Sequence, residues 1–143
     1  DFAATGKPLL GICLGMQMLA TVGHEFGKYE GLNLIPGVVE PLPSFGTNGE
    51  KLKIPSIGWS KLDDSGTKNI NDNESFLNIN EHVYLVHSYH FVPNLDTHLL
   101  STYDFYGNNI AAIVGKDNVI GMQFHPEKSG RTGLDILSRF LST

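Results

Sequence analysis

The first dense apolar run, Leu9-Leu10-Gly11-Ile12-Cys13, reads as a buried strand, and the stretch from Gly15 to Val22 that follows reads as a helix. Gly23–Gly31 is punctuated by glycine and reads as a loop, and Leu32–Gly37 as a short turn. Val38–Leu42 reads as a strand. Ser44–Lys51 is polar and turn-rich, and Ile54–Leu62 reads as a strand broken at Gly58. Asp63–Glu74 carries the weakest pattern, and Ser75–Asn80 reads as a short helix. Val83–Val86 is a strand by its β-branched and aromatic content and runs on into His87–Val92. Leu99–Phe105 is another strand. Ile110–Val114 and Val119–Phe124 flank Gly115-Lys116-Asp117-Asn118, which reads as a hairpin turn. Thr132–Leu141 closes the chain as a helix, with Leu134, Leu137, Phe140 and Leu141 on the face expected to meet the sheet. The fold class predicted is α/β, with a mostly parallel core sheet and an antiparallel extension. Residues 1–143 are read as one domain.

Length and composition narrow the picture. A chain of 143 residues is large enough for a real core, and 41% hydrophobic with 17% charged residues is ordinary for a globular domain. A net charge of −5 without any Lys/Arg run gives nucleic-acid binding no support. No apolar stretch approaches a membrane span, and no signal peptide is visible. The single cysteine excludes an internal disulfide and fits the cytoplasm. Asp1–Lys7 reads as the last turn of a helix capped by Gly6, so the chain is expected to begin inside a longer fold.

Chemistry gathers at Cys13. Strand, sharp turn and helix, with a nucleophile at the apex and Gly11 and Gly15 two residues to either side, is the nucleophile-elbow pattern with Cys in place of Ser. Small flanking residues are expected where Cβ atoms would collide with neighbouring elements. The helix that follows is expected to lower the thiol pKa from about 8.5. A lone cysteine is more often a small buried hydrophobe. A second motif, Gly121-Met122-Gln123-Phe124-His125-Pro126-Glu127, supplies what a nucleophile needs. His125 ends a strand that Pro126 stops, and Glu127, two residues on, shares its face in extended chain. The carboxylate then holds one imidazole nitrogen and leaves the other for sulfur, a Cys-His-Glu version of the Ser-His-Asp logic. His82, His87, His90 and His98 are too scattered to read as a metal site, so none is expected. No phosphate loop or dinucleotide glycine pattern is present, so no cofactor is expected.

With both motifs in hand, the chain resembles the class I (triad) glutamine amidotransferases, through Gly11–Gln17 and Gln123–Glu127. Gly31–Gly37, Ile57-Gly58-Trp59, Val86-His87-Ser88-Tyr89 and Glu127–Gly130 are similar to the glutaminase subunits of imidazole glycerol phosphate synthases. The resemblance runs from about Lys7 to the C-terminus. It implies a flavodoxin-like sheet and hydrolysis of L-glutamine to glutamate. The ammonia would pass to a (β/α)-barrel cyclase partner that makes imidazole glycerol phosphate in histidine biosynthesis. It further implies that Cys13 forms a glutamyl thioester, that His125 moves protons and that Glu127 orients it. The Leu14 N–H would serve the oxyanion, Gln17, Ser88 and Tyr89 would hold glutamine, and Trp59, Tyr84 and Lys128 would face the cyclase.

Departures from the family pattern keep other readings open. About three strand–helix units and a glycine-rich oxyanion loop, expected ahead of the elbow, are not in these residues. The 143 residues alone are therefore expected to hydrolyse glutamine very poorly. Gly23-His24-Glu25-Phe26-Gly27 stands where a Ser-Glu-Glu-Gly type run is common. Ser56 and Ser60 stand where the family often has His and Asn. A paralogue feeding a sugar-amidating synthase, an inactive domain of the same shape and a thiol peptidase remain the alternatives. Gln17 and the Ser88-Tyr89 pair favour glutamine over a peptide.

Overall fold

The computed structural model describes residues 1–64 and 81–143. The predicted helix at Ser75–Asn80 and most of the weakly patterned Asp63–Glu74 stretch lie outside the described residues. Eleven strands and two helices are described: β1 (Leu9–Ile12), α1 (Leu14–Met18), β2 (Val22–Gly23), β3 (Tyr29–Glu30), β4 (Gly37–Pro41), β5 (Ser56–Lys61), β6 (Asp63–Asp64), β7 (His82–His87), β8 (Tyr89–Pro93), β9 (Leu99–Phe105), β10 (Asn108–Lys116), β11 (Val119–Met122) and α2 (Gly130–Leu141).

The main sheet has the order β1-β11-β10-β9-β6. β1 runs parallel to β11, with Leu9 opposite Val119 and Ile12 opposite Met122. The other pairings in this sheet are antiparallel. The mostly parallel sheet read from sequence is therefore corrected for the described residues. Two tight turns, Asp117-Asn118 and Tyr106-Gly107, fold β9, β10 and β11 into a meander. At the second turn both residues adopt positive φ, as a two-residue hairpin of matching twist requires. β10 is central. Its run Ile110–Val114 is buried throughout, as a strand covered on both faces must be.

A second sheet, β3-β2-β4-β8, and a β5-β7 ribbon complete the strands. Two apolar clusters flank β10. One gathers Leu62, Leu85, Tyr103, Ile113, Phe124 and Ile136, and the other gathers Met16, Leu19, Ile35, Val39, Phe91 and Val114.

Both helices differ from expectation. α1 spans only Leu14–Met18, because the chain turns at Leu19 and Val22 pairs with Val38 in the second sheet. In α2 the buried positions are Gly133 and Ile136, with Phe140 packed on the core, while Leu134 and Leu141 are exposed. Gly133 sets this rotation. A side chain there would collide with the Pro126 carbonyl, so the backbone itself is the contact.

Candidate active site

The elbow forms where the apolar strand meets the helix. Cys13 sits between β1 and α1 with φ 51° and ψ −106°, a conformation that L-residues rarely adopt. It is held there by its own backbone. The Cys13 N–H donates to the Met122 carbonyl at 2.7 Å, and the Cys13 carbonyl accepts from the Gln17 N–H at 3.2 Å. Gly11 is required by close approach. A Cβ there would lie 2.6 Å from the Gly15 carbonyl oxygen and 2.8 Å from the Met16 nitrogen. Gly15 is different, because a Cβ there meets no atom within 4 Å among the described residues. The expectation of crowding holds at Gly11 and is corrected at Gly15.

The thiol pKa is also corrected. Burial pushes the Cys13 thiol above its ordinary value and outweighs the Leu14 backbone N–H and the Gln123 side chain, both of which favour thiolate. The negative charge of Glu127 raises it further, and the positive charge of Lys128 lowers it. A five-residue helix supplies too little dipole to reverse desolvation.

β11 lies beside β1, so the segment leaving β11 reaches the same end of the sheet as Cys13. His125 Nδ1 lies 2.7 Å from Glu127 Oε1. The pair is not made along extended chain, as the sequence suggested. Pro126–Lys128 is a single 3₁₀ turn capped by His125, and the turn brings the carboxylate back to the ring. Desolvation works against the Glu127 carboxylate. Its own backbone N–H, His125 and Lys128 together still hold its pKa below the usual range. The His125 N–H donates to the Tyr84 carbonyl at 3.1 Å, and Ser129 Oγ–H donates to the His125 carbonyl at 2.6 Å. The segment from His125 to Ser129 is thereby fastened to β7 and to the start of α2.

Gln17 stands inward from α1. Its Nε2 donates to the Tyr89 carbonyl at 3.1 Å and to Gln123 Oε1 at 3.3 Å. Gln123 is fully buried, and its Nε2 lies 3.8 Å from Cys13 Sγ. Gln17 and Tyr89 are thus brought together, with Ser88 at the bend between β7 and β8. Trp59 and Tyr84 are opposite each other across the β5-β7 ladder, their rings edge-on at 5.9 Å, with Trp59 56% exposed. Lys128 is exposed at the end of the Pro126–Lys128 turn.

A hollow of about 160 Å³ opens beside the elbow, lined by Leu14, Gln17, Met18, Glu25, Tyr29 and Glu30 among others. Gln123, beside the thiol, and Glu25, in the hollow, were not among the residues singled out from sequence. Gln123 lay inside a motif read for its histidine and glutamate. Glu25 lay in a loop whose fit to the family run was the available signal. Among the described residues no group of three or more His, Cys, Asp or Glu is placed to hold a metal ion.

A cysteine on a strained strand–helix elbow, beside a strand that ends in a paired His and Glu, has the architecture of a triad amidotransferase domain. Residues 1–143 match the family model of glutamine amidotransferase class-I, and the chain belongs to that family. Among curated relatives it is 44% identical to the imidazole glycerol phosphate synthase subunit HisH 1 of Legionella pneumophila (strain Lens), over 99% of this chain and 67% of that protein. It is 45% identical to the subunit HisH of Syntrophotalea carbinolica, over 95% of this chain and 65% of that protein. The chain thus spans about two thirds of the length of these relatives. Among solved structures, a chain of PurLQS from Thermotoga maritima superposes with a TM-score of 0.66 at 20% identity, covering 98% of this chain and 63% of that one. At that identity the likeness shows the fold alone.

Proposed function

We propose that the chain is the catalytic part of the glutaminase subunit of an imidazole glycerol phosphate synthase, releasing ammonia from L-glutamine for histidine biosynthesis in the cytoplasm. The observation that carries the reading is Cys13 held at the strained elbow, at the same sheet end as the 2.7 Å His125–Glu127 pair. The similarity to HisH subunits supports the pathway.

In this mechanism Cys13 Sγ attacks the side-chain amide carbon of glutamine. A C–S bond forms, and the amide oxygen takes the negative charge. The Leu14 N–H, at the first position of α1, donates to that oxyanion. Glu127 accepts from His125 Nδ1–H, which leaves Nε2 to take the thiol proton. His125 passes the proton to the leaving nitrogen, and ammonia departs. The glutamyl thioester then accepts a water that His125 deprotonates, and glutamate leaves as the thiol is restored. Because burial keeps the resting thiol above its ordinary pKa, ionisation is coupled to His125 rather than complete beforehand.

Gln17, Ser88 and Tyr89 hold the substrate beside α1. Free glutamine also carries an ammonium group, and the half-buried Glu25 in the adjoining hollow offers its counter-charge. Trp59, Tyr84 and Lys128 are the surface offered to a (β/α)-barrel cyclase. Tyr84 lies one hydrogen bond from the triad, through its carbonyl to the His125 N–H.

Ammonia release from glutamine by the full-length protein, with and without a histidine-pathway cyclase and its nucleotide substrate, tests the reading. Strong stimulation that disappears in Cys13→Ala supports it. Cys13-dependent release that the cyclase leaves unchanged transfers the ammonia to another acceptor, such as a sugar-amidating synthase. Absence of release in every condition overturns the enzyme.

A further inference from the structure

His87 lies outside the triad and is buried at the end of β7, with both ring nitrogens engaged. Nδ1 is 2.7 Å from the Tyr89 carbonyl oxygen, and Nε2 is 2.7 Å from the Tyr103 hydroxyl. A carbonyl cannot donate, so Nδ1 carries the hydrogen. In the neutral ring Nε2 then accepts from the Tyr103 O–H. Ser56 Oγ, 3.3 Å from the Tyr103 oxygen, completes the line as a donor to it. Every direction follows from one fixed tautomer. Burial favours that neutral state, holding the His87 pKa down at about 4 and raising that of Tyr103 to about 12.

The same Tyr89 carbonyl also accepts from Gln17 Nε2. The His87 ring therefore closes the bend that contains Ser88 and fixes the acceptor on which Gln17 is placed. Ser88, Tyr89 and Gln17 are the three residues read above as holding glutamine.

Resting on that reading of the site, we propose that His87 is a positioning residue for the glutamine pocket, a neutral clamp that Tyr103 locks from behind and that sets the Ser88-Tyr89 bend and Gln17. It does not touch the reacting atoms. Its loss is expressed in substrate binding more than in the nucleophile.

Three variants of the full-length protein test this. His87→Leu removes the donor while filling the space. His87→Asn retains an N–H donor near the Nδ1 position. Tyr103→Phe removes only the hydroxyl that locks the ring. With one well-placed hydrogen bond lost, His87→Leu is expected to raise KM for glutamine about tenfold, with a smaller change in kcat. Iodoacetamide, which needs no glutamine pocket, is expected to alkylate Cys13 in that variant at close to the wild-type rate. His87→Asn is expected to return KM to within about threefold of wild type, and Tyr103→Phe to raise it about threefold.

A folded His87→Leu protein with wild-type KM overturns the clamp, as does an Asn variant no better than Leu. If the Leu variant does not fold, Tyr103→Phe decides: a raised KM supports the clamp and an unchanged one overturns it. Ammonia release that survives in Cys13→Ala would instead remove the nucleophile reading, and the clamp with it.

Discussion

Gly11 is where strand, helix and nucleophile are packed most tightly. Consider Gly11→Ala. The new Cβ would lie 2.6, 2.7 and 2.8 Å from the Gly15 oxygen, the Gly15 carbon and the Met16 nitrogen. Relaxed contacts of this kind lie at about 3.5–4.0 Å, so β1 and α1 must separate by roughly 1 Å. All three neighbours are backbone, and no side-chain rotation relieves the clash. The stability cost is expected near the upper end of the overpacking range, about 3 kcal/mol. Cys13 rides on that junction, and misplacement by about 1 Å costs on the order of 10² in rate. Gly15→Ala is the control. Its Cβ meets nothing within 4 Å, its φ is not positive, and it lies within α1. It is expected to be neutral, or stabilising by about 0.5–1 kcal/mol through helix propensity. Urea unfolding and glutaminase turnover of the two full-length variants make the comparison. A Gly11→Ala protein with wild-type stability and turnover would contradict the backbone contact at Gly11, and so would equal losses in both variants.

Other consequences are open to measurement. Burial depresses His87 from 6.5 to about 4, so below pH 6.5 the unfolded state binds the proton that the folded state resists. Stability is therefore constant from this group above pH 6.5 and falls as pH drops towards 4, by about 3 kcal/mol in all. Urea midpoints that fall equally in wild type and His87→Asn between those pH values would contradict the assignment. Glu25→Gln removes the proposed ammonium partner while keeping shape, and is expected to raise KM for glutamine about 10- to 100-fold with little change in kcat. A KM unchanged in steady-state assays would move the ammonium elsewhere.

Much of the site was legible because its signals are local. The elbow is written within five residues, Gly11 to Gly15, and the orienting pair within three, His125 to Glu127. The β10–β11 hairpin could be read from its turn residues, and Asp117 there does adopt positive φ, whereas the turn at Tyr106-Gly107 was not read. What escaped depends on register between distant segments. Gln123 meets Cys13 only because β1 pairs parallel with β11, and His87 meets Tyr103 and Ser56 only because β7, β9 and β5 are brought together. The buried face of α2 was misjudged for a related reason. Leu134 carries a strong hydrophobic signal and Gly133 none, yet the close approach to Pro126 decides which one turns inward. The small parallel share of the sheet follows from strand order, which no local pattern encodes.

Labelling by a glutamine-mimicking alkylator, followed by peptide mass spectrometry, shows whether Cys13 is the nucleophile that opens glutamine. One adduct per chain is expected, on Cys13, formed more slowly when glutamine is present and absent from Cys13→Ala. A protein that releases ammonia from glutamine while Cys13 remains unlabelled, or whose Cys13→Ala variant retains that activity, would contradict that role.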